Sequence, residues 1–186
     1  MNEGKSKKKH CTASIFIFHK TKEKWKLLLV HHKEFDLWMI PGGHVEQNEN
    51  PVEAVLREAN EETNSIPHLV SFLHASLEDT DSTWLLPPEY LFEQRIPARA
   101  DEDEHFHIDC AYIGLVDSEK VSHRVEESNA IQWFSEKEVT GNTSMFLSTQ
   151  RIALDILKKL NVGARFSYEQ EVQRPARHRV RSYNSV

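Results

Sequence analysis

Cysteine is scarce in this 186-residue chain, with Cys11 and Cys110 the only two thiols. A chain of this length buries roughly two thirds of its unfolded surface and needs no covalent staple, so both are expected to be reduced and buried, with no redox role. Long apolar runs are missing as well. No stretch approaches the roughly 20 apolar residues that span a bilayer, and MNEGKSKKKH leads into alternating residues rather than the continuous apolar core of a secretory signal. There is no internal repeat, and low complexity is confined to the ends. The expectation is a soluble, cytoplasmic protein with one medium-sized domain.

A net positive charge is also lacking. The formal charge is −6, and it is segregated: residues 1–10 and residues 161–186 contribute +3 each, so the body between them carries −12. A body of that sign repels a polyphosphate backbone, which makes a nucleic-acid duplex a poor partner. The basic ends read as solvated, mobile tails, with RPARHRVRS at 174–182 a candidate to touch RNA or a membrane surface. The expected organisation is a basic tail over 1–10, one domain over 11–160 and a second basic tail over 161–186.

What the chain does have is a series of short strand signals. CTASIFIFHK (11–20) and KLLLVHH (26–32) flank the polar TKEKW and read as a hairpin. DLWMIPGGHVE (36–46) is a third extended piece, punctuated by two glycines that permit close backbone approach. Further strands are expected at 69–77, 90–96, 106–115 and 131–134, with polar loops at 78–88 and 98–105. A final helix is expected at 144–160, with Met145, Ile152, Ala153, Ile156, Leu157 and Leu160 as its buried stripe.

Between these strands lies a helix that announces its start. Asn50 suits the cap, Pro51 the first position, and Glu53 the reach of a capping-box carboxylate. Val52, Val55, Leu56 and Ala59 give it an apolar stripe. The other face is crowded with charge: Glu58, Glu61 and Glu62 stand at i, i+3 and i+4, a spacing at which like charges repel. Hard oxygen donors gathered at one spot suit Mg²⁺, with Mn²⁺ as the alternative, and such a cation would supply the missing compensation. Arg57 can pair with Glu53, Glu61 or Glu49 and tie the loop to the helix.

The wider pattern is more specific than the carboxylates alone. Gly43, Glu49 and the run Arg57-Glu58-Ala59-Asn60-Glu61-Glu62 are spaced as in the signature of the Nudix hydrolases, MutT-like proteins that this chain resembles. Six of that signature's seven fixed residues are present at the right spacing, and Trp38-Met39-Ile40-Pro41-Gly42 resembles the strand and turn that enter it. Two positions depart. Asn64 replaces a glycine, and asparagine is the next best residue for a left-handed helix end. Ser65 replaces an apolar residue, which bears on the exit loop.

The resemblance covers roughly residues 11–160. It implies an α+β Nudix fold, a mixed sheet sandwiched between helices with a loop-helix-loop metal site, and cleavage of a nucleoside diphosphate linked to another moiety. It further implies Glu58 and Glu62 as principal metal ligands and Glu61 as a further ligand or the group that orients a metal-bound water. The Gly42 carbonyl would be an extra ligand, with Arg57 and Glu49 as supports. A general base from a later loop is common in the family, and Glu127, or its neighbour Glu126, is the candidate here.

The remaining polar residues are assigned more loosely. His105, His107 and Asp109 alternate, so on a strand they share a face that either lines the pocket and contacts substrate or is polar surface. A separate His-x-His-x-Asp metal site lacks a third partner at convincing spacing. His44, directly after the glycines, is placed to face a phosphate, and Trp84, in a polar loop, to act as a lid or contact. Substrate sub-signatures do not fall into place: Thr80 or Asp81 stands where ADP-ribose hydrolases carry a proline, and the tyrosine of dinucleoside polyphosphate hydrolases is absent. A small nucleotide, either a nucleotide sugar or a nucleoside triphosphate, is the expected substrate class. The alternatives are a non-catalytic nucleotide-binding module and an RNA 5′-end pyrophosphohydrolase. The oligomeric state is left open, a homodimer included.

Overall fold

The computed structural model describes residues 8–22, 24–73, 81, 83–98, 103–124, 126 and 128–169. The two aliphatic runs form the expected hairpin, β1 (Lys9–Lys20) pairing antiparallel with β2 (Trp25–His32). The Pro-Gly-Gly piece breaks into two short strands, β3 (Leu37–Met39) against β2 and β4 (Gly42–His44) against β1. Helix α1 (Pro51–Thr63) follows, then β5 (His68–Ser71), β6 (Tyr90–Ile96), β7 (His105–Val116), β8 (Ser128–Ser135), α2 (Glu136–Gly141), α3 (Leu147–Asn161) and β9 (Tyr168–Glu169).

Nine strands join into one mixed sheet among the described residues. The long β1 and β7 run parallel through its centre, in register from Lys9↔Phe106 to His19↔Val116, while the other pairs are antiparallel. The alternation of β1 buries both faces. Phe16 and Phe18 pack with Leu27, Leu29, Ile113 and the α3 residues Ile156 and Leu157. Ala13, Ile15 and Ile17 pack on the other face with Leu28, Leu69 and the α1 residues Ala54, Val55 and Ala59. Each of the larger of these side chains contributes roughly 1.5–3 kcal/mol on burial, so α1 is fixed against the sheet by its apolar stripe and its carboxylates are left to a separate face. The expected mixed sheet between helices is what forms.

Helix α1 begins as its sequence demands. The Asn50 side chain accepts from the Val52 and Glu53 amides at 2.9 and 3.1 Å, and Glu53 accepts from the Asn50 amide at 2.9 Å. It ends on Asn64 in the left-handed conformation (φ 52°, ψ 37°), whose amide donates to the Asn60 carbonyl at 2.9 Å.

Several boundaries differ from expectation. The strand expected at 69–77 stops at Ser71, and 74–80 lie outside the described residues, as do 1–7 and everything after 169 in the two basic tails. The strand expected at 131–134 extends over Ser128–Ser135, and His105 belongs to β7 rather than to the preceding loop. The last helix starts at Leu147, with Met145 buried just before it. The short α2 was not expected, although Ser135 and Glu138 form a capping box that announces it. Cys110 is buried as expected and its thiol is pushed up to about 11, chiefly by burial, but Cys11 is exposed and both are free. Among the described residues no helix is long and apolar enough to cross a membrane.

The left-handed end of α1 gives a direct test. Asn64→Gly should leave stability within a few tenths of a kcal/mol or raise it, whereas the β-branched Asn64→Val should cost about 1–2 kcal/mol in denaturant unfolding.

Candidate active site

The site is built where β4 passes between β1 and α1. A Cβ on Gly42, whose φ is +155°, would lie 2.7 Å from the Ser14 Cα, and a Cβ on Gly43 would lie 2.8 Å from the Glu58 carboxyl carbon. The two glycines therefore let the β4 backbone lie flush against β1 on one side and against the Glu58 carboxylate on the other.

Arg57 organises the acidic groups around it. Its Nη2 donates to Glu49 Oε1 at 2.6 Å and its Nε to Glu49 Oε2 at 3.1 Å, a bidentate pair. Nη1 donates to Glu58 Oε1 at 2.8 Å and to Glu61 Oε2 at 3.2 Å, and Nη2 also reaches the His44 carbonyl at 3.1 Å. Glu53, occupied at the helix cap, is not a partner. The hydrogen bonds from Arg57 hold the Glu49 carboxyl below its usual range, and those carboxylates raise the guanidinium further above its own. Glu62 Oε2 accepts from the Gly42 amide at 3.3 Å. Arg124, in the stretch before β8, stands 3.8 Å from Glu61 Oε1.

Glu62, Gly42, Gly43 and His44 border a cavity of about 530 Å³. Phe35, Met39, Phe92 and Phe146 give it apolar walls, and Thr12, Ser14, Gln94 and Asp109 give it a polar side. Asp109 is 8% exposed and accepts from Thr12 Oγ1 at 2.8 Å and from Ser14 Oγ at 2.5 Å. Burial outweighs these two hydroxyl donors and raises its carboxyl above the ordinary value of 3.8.

The structure thus gathers Glu58 and Glu61 on Arg57, while Glu62 and Gly42 border the cavity with His44 and His107 on its wall; Glu58, Glu61 and Arg57 do not themselves line it. His105 is buried behind His107, its Nε2 3.0 Å from His107 Nε2. Trp84 is 51% exposed and does not line the cavity. Glu127 lies outside the described residues, while Glu126 sits in an exposed turn. Sequence reasoning missed Arg124, and it missed the pairing of Thr12 and Ser14 with Asp109, which depends on the parallel register of β1 and β7.

Two measurements test this geometry. Arg57→Gln leaves Glu58 and Glu61 without their shared cation and should cost about 2 kcal/mol in metal-free unfolding, with part of the loss recovered in Mg²⁺. For Asp109 the sign follows from its raised pKa: the native state holds the proton more tightly, so the favourable contribution is present at low pH and lost as pH rises through the folded-state value. The stability of Asp109→Asn relative to wild type should therefore increase from pH 4 to pH 7 in urea unfolding, and a pH-independent difference would contradict it.

Known proteins place this geometry. The NUDIX domain family matches residues 8–153. A Nudix-family hydrolase from Clostridium perfringens superposes with a TM-score of 0.65 at 27% identity, covering 81% of this chain and 97% of that one. The NUDIX domain of Shewanella oneidensis NrtR, solved with ADP ribose, gives a TM-score of 0.56 at 16% identity over 86% of this chain and 94% of that one. The dihydroneopterin triphosphate pyrophosphohydrolase of E. coli gives 0.56 at 13% identity over 82% and 97%. No curated protein matches the sequence significantly. With the family's domain spanning most of its length and the carboxylate-bearing helix set beside the glycine turn, this chain belongs to the Nudix hydrolase family, as a Nudix pyrophosphohydrolase.

Proposed function

We propose that the protein is a Mg²⁺-dependent pyrophosphohydrolase of small nucleotides, cleaving a nucleoside diphosphate linked to a sugar or to a further phosphate. The observation that carries this reading is the α1 carboxylate cluster, with Glu58 and Glu61 on Arg57 and Glu62 at the edge of a mainly apolar cavity of about 530 Å³. That volume falls in the range of ligand sites for small molecules. Phe35, Met39, Phe92 and Phe146 suit a base or sugar, and the carboxylate end suits the diphosphate through a cation.

The donor set fits a hard divalent ion. Three glutamates and the Gly42 carbonyl supply oxygen only, and the Glu58 carboxylate fits against β4 because Gly43 has no side chain to displace it. A bound Mg²⁺ neutralises the diphosphate and lowers the pKa of a water. Glu58 and Glu62 would hold such an ion, Glu61 would hold it or orient the attacking water, and Arg57 keeps the helix and the 42–49 loop in register. The Gly42 amide, donating to Glu62, fixes the direction of that carboxylate. His44 and His107 contact the phosphates from the cavity wall, and Trp84, exposed outside it, serves as a lid. Glu127 is retained as the candidate base. A cavity of this size favours a small nucleotide over an RNA end, whose proposed contacts rest on the tails.

A panel of nucleoside triphosphates, nucleotide sugars, ADP-ribose, dinucleoside polyphosphates and capped RNA, incubated with Mg²⁺ or Mn²⁺, tests the reading when products are identified. At least one small nucleotide should be cleaved at its pyrophosphate bond, and Glu62→Gln should lower that rate by about 10³-fold or more, the scale of losing a main source of transition-state stabilisation. Unchanged turnover in the variant would refute the assignment, and tight binding without product would favour the non-catalytic module.

A further inference from the structure

The two imidazoles on the cavity wall, His44 and His107, belong to a larger group that includes His10, which the hydrolytic site does not use. His10 from β1, His44 from β4 and His107 from β7 each offer a ring nitrogen, and the three atoms lie within 4.8 Å of one another. The strand pairing brings them there. His10 stands opposite His107 in the parallel β1–β7 register, and His44 stands opposite Thr12, two residues along β1. Their rings sit 4.9–6.0 Å apart, centroid to centroid.

We propose that His10, His44 and His107 form a second metal site, of imidazole type, that takes Zn²⁺ in preference to Mg²⁺ and clamps β1, β4 and β7 together at the cavity wall. The spacing suits that ion. Ligands about 2.0–2.1 Å from a tetrahedral zinc lie roughly 3.3–3.4 Å from each other, and His10 Nδ1 is already 3.1 Å from His44 Nε2. The three donor atoms already lie within 4.8 Å of one another, and His44, the exposed member, leaves its ring the most room to turn toward the other two. Ring orientation is supported from behind. His105 is 2% exposed, its Nδ1 donates to the Asp103 carbonyl at 3.0 Å, and its Nε2 meets His107 Nε2 at 3.0 Å. An outer partner that orients a ligating imidazole in this way is the usual accompaniment of a histidine-bound metal.

Donor chemistry separates this site from the first. Imidazole nitrogens suit Zn²⁺, whereas the α1 carboxylates suit Mg²⁺ or Mn²⁺. The sites share one residue: the His44 side chain faces the cluster while its carbonyl accepts from Arg57. Three protein ligands leave a fourth position for water or a phosphate oxygen on the cavity side. The sequence hides the arrangement because the ligands are 34 and 63 positions apart and meet only through strand register.

Calorimetric titration of Zn²⁺ into the full-length, metal-stripped protein in saturating Mg²⁺ tests this independently of hydrolysis. Wild type and E58Q/E62Q should both take up one tight equivalent, and H10Q/H107Q should bind at least about tenfold more weakly. No tight equivalent in wild type, unreduced binding in H10Q/H107Q, or loss of binding in E58Q/E62Q would overturn the proposal. Anomalous scattering at the zinc edge from wild-type crystals decides the matter without variants. A peak bounded by the three imidazoles supports the site, and a peak elsewhere alone, or none, rejects it.

Discussion

One guanidinium holds the loop-helix unit at the candidate active site together. Arg57 reaches Glu49 in the loop, Glu58 and Glu61 on its own helix, and the His44 carbonyl at the end of β4. Its side chain is only 26% exposed, so these contacts are shielded from the solvent screening that makes most surface ion pairs weak. Without it, Glu49, Glu58 and Glu61 would lose the one cation that all three share. The loop-helix-loop unit is therefore an electrostatic construction first, and a packing one only through the apolar stripe of Val55 and Ala59 beneath it.

The glycine turn makes that construction dense. Because Gly42 and Gly43 carry no side chains, the β4 backbone fits between Ser14 and Glu58, and Arg57 can hold carboxylates and a main-chain carbonyl at once. Rigid elements then surround the cavity: β1 and β7 supply Thr12, Ser14 and Asp109, and α1 supplies Glu62. Sites carried on strands and helices are held more tightly than sites on loops, which suits in-line displacement at phosphorus.

Much of this was legible in the chain, for identifiable reasons. The α1 start could be read because Asn50, Pro51 and Glu53 act locally, and its left-handed end because Asn64 is one of few residues that tolerate that conformation. The carboxylate site was legible because i, i+3 and i+4 place side chains together whatever the rest of the fold does. What could not be read depends on long-range register. The hydroxyls of Thr12 and Ser14 on Asp109, the imidazoles of His10, His44 and His107, and the approach of Arg124 to Glu61 all join residues tens of positions apart. Strand ends were misplaced where pairing, rather than composition, decides them, as at β5, which is paired with β7 only over His68–Val70.

The account turns on the claim that the Glu58, Glu61 and Glu62 carboxylates, gathered by Arg57, are a divalent-cation site. Anomalous diffraction from wild-type crystals soaked in Mn²⁺ tests it most directly. A peak bounded by Glu58 and Glu62 and adjoining the Gly42 carbonyl is the expected result. Saturating Mn²⁺ that leaves no peak there, or that appears only among the histidines, would contradict it.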